Sequence, residues 1–175
     1  MLSETSYDWL GSGVYFWEND PIRALQWARL SWRKIEKPSV IGAVIDTGRC
    51  LDLTTQEGIV AVESAHRALA KLHKLTEQPL PKNAGLHKGM RHLDCAVIKH
   101  LNRARTKMAE SDPSILPYQT VRALFVEGKK LYRGAGFHDK THVQICVIDQ
   151  SRIFGVFRLP KWHQKMLGIE ETLYR

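Results

Sequence analysis

Leu10-Gly-Ser-Gly-Val-Tyr-Phe-Trp-Glu-Asn-Asp-Pro-Ile-Arg-Ala-Leu-Gln-Trp-Ala28 sets the reading of this chain. Gly11 and Gly13 relieve backbone strain where the chain runs into a strand. Val14, Tyr15, Phe16 and Trp17 carry the β-branched and aromatic bias of strand residues. Asn19 or Asp20 then caps a helix whose first position is Pro21, where a missing N–H costs nothing. Apolar residues at Ile22, Leu25 and Ala28, with Trp27 and Leu30 beside them, give that helix one apolar stripe, and it is expected to run to about Lys34.

Outward from this block, Lys37-Pro38 ends the helix and Val40 to Ile45 reads as a buried strand. Gly48 closes it, and Cys50 to Leu53 is a short extended piece. Thr54 or Thr55 caps a second helix with Ile59, Val62, Ala65, Leu69 and Leu72 along one side. After the Pro79 and Pro81 loop, Met90, Leu93, Val97 and Leu101 mark one face of a third helix reaching Lys107. Beyond the Asp112-Pro-Ser-Ile-Leu-Pro117 linker the character changes. Val121 to Val126, Val143 to Ile148 and Ile153 to Phe157 are short, β-rich and separated by turn residues, which suits an antiparallel arrangement. Strands at both ends with helices between them imply one α+β domain over residues 1–175.

The opening block resembles the second signature block of the ADP-ribosyltransferases of the poly(ADP-ribose) polymerase and diphtheria-toxin type. There, a Gly-x-Gly-(Ile/Val)-Tyr-Phe strand leads into a helix bearing a small residue and a further aromatic. The matching residues are Gly11, Gly13, Val14, Tyr15 and Phe16, then Ala24 and Trp27. The resemblance implies a fold of split antiparallel sheets with helices inserted between the strand groups and NAD bound in the cleft. It also implies that Tyr15 and Trp27 sandwich the nicotinamide ring, a role that flat aromatic faces suit. Gly13, Phe16 and Ala24 complete the implied cofactor-binding set.

Thr141-His-Val-Gln-Ile-Cys-Val-Ile-Asp-Gln-Ser-Arg-Ile-Phe-Gly-Val-Phe157 has the layout of the family's late strand pair, with Gln144 where the catalytic Glu belongs. Val40 to Ile45 leading to Cys50-Leu-Asp-Leu53 is a third, weaker match. The family's first motif, a strand ending in His-Gly or Arg-Gly, belongs a few dozen residues ahead of Tyr15. Fourteen residues precede Tyr15, and none reads as that strand. The expectation is therefore an N-terminally shortened version of a longer protein or a degenerate domain.

Transfer from NAD breaks a glycosidic bond through an oxocarbenium-like state, so a carboxylate near the ribose is the most useful catalytic group. Gln144 can hydrogen-bond a ribose hydroxyl but offsets no charge. Glu127, in Phe125-Val-Glu-Gly128, is the substitute acid, or else a surface carboxylate ending its strand. Glu18 is the weaker choice, expected to cap or ion-pair with the Pro21 helix. Period two puts His142 on the same strand face as Gln144, where the two would act together; otherwise it is a hydrogen-bonded histidine ahead of the strand.

The chain has 175 residues, 43% of them hydrophobic, and a formal charge of +8. Seven Lys or Arg residues stand between Lys82 and Lys107 against the single acid Asp94, and Lys129, Lys130, Arg133 and Lys140 form a second cluster. Such a field attracts a polyanion, or is simply a solvated surface. Cys50, Cys95 and Cys146 read as thiols of a reducing cytoplasm. Neither a secretory signal nor a membrane span is expected.

No Cys-x-x-Cys or His-Glu-x-x-His spacing occurs, so no metal is expected. His142 and Cys146 lie too far apart on a strand for a thiol to be activated. Gly11-Ser-Gly13 is too short for a phosphate loop. Together the residues and the resemblance lead to the expectation of an NAD-dependent mono-ADP-ribosyltransferase. Its setting would be that of a bacterial toxin or phage-defence effector, with RNA, DNA or protein as acceptor and an antitoxin as partner. The alternative is a degenerate module of the same fold that binds nucleic acid or protein without turnover.

Overall fold

In the computed structural model, residues 2–30, 35–85 and 89–168 are described. The aromatic run forms β1 (Val14–Trp17), the edge of a four-stranded sheet ordered β1-β5-β4-β3. Here β3 is Cys50–Asp52, β4 is Thr120–Phe125 and β5 is His142–Val147. A two-stranded antiparallel sheet pairs β2 (Ile41–Ile45) with β6 (Ile153–Arg158). The architecture is α+β with two small sheets, and α2 (Gln56–Leu75) and α3 (His92–Ser111) stand between β3 and β4 in the chain.

Two details depart from the purely antiparallel expectation. β1 and β4 both run antiparallel to β5, but β3 runs parallel to β4. The long α2–α3 connection supplies the crossover that a parallel pair needs. β5 and β6 do not form a hairpin: after Asp149 the chain leaves the first sheet, and β6 joins β2.

The caps are settled by geometry. Asp20 accepts from the Arg23 backbone N–H at 2.8 Å and starts α1 (Pro21–Ala28), while Asn19 turns the chain with a φ of 52°. α1 ends at Ala28, six residues short of Lys34, and residues 31–34 lie outside those described. Thr55 caps α2 by accepting from the Gly58 N–H, and Thr54 instead hydrogen-bonds Asp52. Met90 precedes α3 and pairs with Ala84. A short helix that the sequence pattern did not announce, α4 (Lys161–Met166), follows Pro160.

Register explains the core. Tyr15, Cys146, Val121 and Leu51 stand side by side across the four strands, all on the face toward Ile98 of α3. Leu51, Val121 and Cys146 are at most 1% exposed, and burying each aliphatic side chain contributes about 1.5–3 kcal/mol. Ala65, Leu69 and Val97 join α2 to α3, and Leu25 of α1 meets Leu159 and Leu167 in a smaller cluster. Among the described residues no helix is long and apolar enough to cross a membrane.

Candidate functional site

The end of the sheet where β1 stops and β5 starts gathers most of the residues singled out above. Trp17 stands opposite Gln144, and Phe125 opposite His142. Since directly opposed residues share a face, Trp17, Gln144, His142 and Phe125 all project to the side that carries Tyr15.

His142 is 4% exposed and stacks on Phe125 at 5.6 Å, with Trp17 at 6.4 Å. Its Nδ1 lies 2.7 Å from the Lys140 carbonyl oxygen, which can only accept, so Nδ1 carries the hydrogen. Nε2 is then an acceptor, and the Gln144 amide donates to it at 2.8 Å. On the other side of the ring, Glu127 Oε2 is 4.0 Å from Nδ1 and accepts from Arg23 Nη2 at 2.6 Å. The two hydrogen-bonded pairs, Gln144–His142 and Arg23–Glu127, meet at this 4.0 Å approach, and together they make a polar chain from β5 past the end of β4 to α1.

Arg23 is in the site because α1 begins at Pro21 and turns its third residue toward the sheet end. Its side chain is only 11% exposed and that of Glu127 is 30% exposed, so the pair is shielded more than most surface ion pairs. The same helix brings Trp27 against Trp17, ring centres 5.1 Å apart and planes inclined by 52°. A flat ring between two others needs roughly 7 Å from centre to centre. Trp17 and Trp27 must therefore part before either can stack on a ligand from that side. The Trp17 indole N–H is buried and has no hydrogen-bond partner among the described residues. A donor in that position suits a carboxamide oxygen.

Tyr15 sits two residues back on the same face. Its ring packs on the core, and its hydroxyl accepts from the Leu10 N–H at 3.0 Å and donates to the Gly11 carbonyl at 2.7 Å. Burial pushes its phenol far above the usual range. Gly13 exchanges backbone hydrogen bonds with Ser3 and has Cys146 Sγ where a Cβ would go, so its smallness serves strand packing. Phe16 projects to the opposite face, in line with Ile145. Ala24 lies half-buried in α1, its N–H donating to the Asp20 carbonyl.

Glu18 departs from its expected partner. It accepts from Arg122 at 2.8 and 3.0 Å instead of serving α1. Arg122 also binds Asp52 at 3.1 Å and Thr54 at 3.1 Å, closing a network on the Phe16 face. A recess of about 900 Å³ lies between α2, α3 and the end of β4, lined by Trp9, Val62, Leu93, Val97 and Phe125 among others. It shares Phe125 with the site, but Tyr15, Trp27, Glu127, His142 and Gln144 do not line it.

No family model, curated protein or solved structure matches this chain. The chemistry of the site therefore rests on its own residues. No group of three or more His, Cys, Asp or Glu that could hold a metal ion occurs among the described residues. The sequence reading passed over Trp17 and Arg23. Period two from Tyr15 points to Trp17, whereas nothing local to α1 announces that Arg23 reaches a carboxylate 104 residues away.

Proposed function

We propose that the chain is an NAD-dependent mono-ADP-ribosyltransferase of the kind its Tyr15 block resembles. The observation that carries this reading is the convergence of Trp27, Glu127, His142 and Gln144, drawn from three separate stretches of sequence, on one end of one sheet. Once Trp17 and Trp27 part, they hold the nicotinamide ring with Tyr15 behind them, and the partnerless Trp17 N–H donates to its carboxamide. Gly13 and Phe16 hold β1 in place against its neighbours, and Ala24 lies one turn ahead of Trp27 on α1. Gln144, oriented by His142, hydrogen-bonds a ribose hydroxyl, and Glu127 offsets the positive charge that develops on the ribose. The glycosidic bond breaks with its electron pair passing to nicotinamide. A lone pair of the acceptor forms the new bond to the anomeric carbon, and the acceptor's proton leaves to water.

Acceptors of this reaction would be RNA, DNA or protein. The protein would act in the cytoplasm as a toxin or phage-defence effector restrained by an antitoxin. Incubation with labelled NAD and a mixture of RNA, DNA and protein tests the reading. Label on one acceptor class is expected, and the absence of both NAD binding and label would refute it. The Arg23–Glu127 pair and the uncharged amide at position 144 favour a second reading, a module that binds without turnover. NAD or nucleic-acid binding with no label under any condition would select it.

A further inference from the structure

Between Glu127 and His142 the chain makes an arm that the proposed chemistry leaves unused. Residues 128–141 leave β4, fold back as an irregular hairpin and return to β5. The arm is held by its own backbone: Lys130 pairs with His138, the Leu131 N–H donates to the Phe137 carbonyl at 3.1 Å, and the Asp139 N–H donates to the Lys129 carbonyl at 3.0 Å. At its root the Lys140 N–H donates to the Glu127 carbonyl. Gly128 turns there with a φ of +82°, a conformation that favours glycine, with the Asp139 carboxylate where a Cβ would stand. That carboxylate, the arm's one acid, accepts from the Lys129 N–H at 2.9 Å. Ala135 is buried, so the arm is not wholly in solvent.

What this scaffold displays is unusual for a solvent-facing loop. Leu131 is 57% exposed, Tyr132 62% and Phe137 68%. Lys129, Lys130, Arg133 and Lys140 are exposed around them. Rings held in water beside cations on a hydrogen-bonded hairpin lose little further entropy when they meet a flat partner. The ligand that offers both flat apolar faces and regularly spaced negative charges is a nucleic acid. Only a single strand has base faces free to stack. In a duplex the faces are consumed by neighbouring pairs, and the cations would bind phosphate alone.

We infer that the 128–141 arm is a reader of single-stranded nucleic acid, stacking bases on Tyr132 and Phe137 while Lys129, Lys130, Arg133 and Lys140 follow the phosphates. Its importance as an acceptor reader rests on the transferase reading. Because Glu127 and His142 are its two roots, a strand lying on the arm is delivered to the sheet end where NAD would react. Exposed rings beside lysines also suit a lipid surface. The polyanion is favoured because the arm adjoins the polar chain of the site and shares the charge sign of the basic 82–107 stretch.

Fluorescence anisotropy with labelled twelve-residue oligonucleotides tests this without NAD. The full chain is titrated with single-stranded RNA, single-stranded DNA and duplex DNA, and in parallel with anionic phospholipid vesicles. Single strands should bind at least about tenfold more tightly than duplex, and the two single-strand arms decide between RNA and DNA. Tyr132→Ala and Phe137→Ala should each weaken single-strand binding by about 5- to 150-fold. Replacing Lys129 and Lys130 together should flatten the salt dependence by about 1.4 in log–log slope. Circular dichroism of each variant should match the parent, since these side chains face solvent. Equal affinity for duplex, preference for vesicles, or unchanged affinity in both ring variants would overturn the inference. Strand binding without ADP-ribose transfer would count against the transferase reading and leave the arm's role standing. Transfer to protein without strand binding would do the reverse.

Discussion

Arg23 donates to Glu127 at 2.6 Å, joining the first helix to the end of the fourth strand. This contact gives Glu127 a fixed position beside His142 and also holds its charge in check. A carboxylate that is to face a developing ribose cation must share or leave that partner. Arg23→Ala should therefore cost about 2 kcal/mol of stability, below the range for fully buried pairs because Glu127 keeps some solvent contact. Chemical denaturation of the two proteins checks it, and a loss under about 0.5 kcal/mol would show that the pair is ordinary surface electrostatics.

The aromatic residues separate ligand binding from folding. Trp27→Ala and Trp17→Ala should each weaken NAD binding by about 1–3 kcal/mol if their rings flank nicotinamide. Tyr15→Phe keeps the ring and removes the hydroxyl that ties Leu10 to Gly11. It should lower stability by about 1–2 kcal/mol and leave NAD affinity within about twofold. Calorimetric titration with NAD beside thermal melts reads both quantities, and full NAD affinity in both Trp variants would return those rings to a packing role.

The aromatic block, its capped helix, the two long helices and all six strands were legible in the sequence, because each rests on local pattern: period two, period 3.6, or a cap. The parallel β3–β4 pair was not, since strand direction depends on how a crossover of nearly seventy residues closes. Nor was the departure of β6 to the second sheet. Within the site, Gln144 and His142 were placed together correctly by strand periodicity. Arg23 and the Glu18–Arg122 pair were out of reach because they join distant stretches through tertiary geometry alone.

Arg122 ties Glu18 to Asp52, and this network sets an acid limit on stability. Burial raises the Asp52 carboxyl, but hydrogen bonds from Thr54 and the Arg122 guanidinium outweigh it and hold the group below its ordinary value. A depressed carboxylate contributes stability that is present above its unfolded pKa of about 3.9 and is lost as pH falls through the lower folded value. Arg122→Gln should therefore flatten the fall in stability below about pH 4 while lowering stability at neutral pH. Urea melts from pH 7 down to pH 2 read both effects, and parallel curves for the two proteins would contradict the assignment.

The thiols supply an opposite dependence. Burial pushes Cys146 up to about 12 and raises Cys50 and Cys95 as well. In the native protein they should react slowly with a thiol reagent at pH 8, and all three should react at once in denaturant. A raised thiol contributes stability that is complete below the unfolded pKa near 8.5 and fades as pH rises toward the folded value. Rapid native labelling of Cys146 would mean that the Tyr15, Val121 and Leu51 layer opens readily.

Release of nicotinamide from NAD, followed by chromatography for the parent chain and for Glu127→Gln, tests the central claim most directly. The account expects measurable release by the parent and its loss in the variant with NAD binding nearly intact. A parent that neither binds NAD nor releases nicotinamide would contradict it.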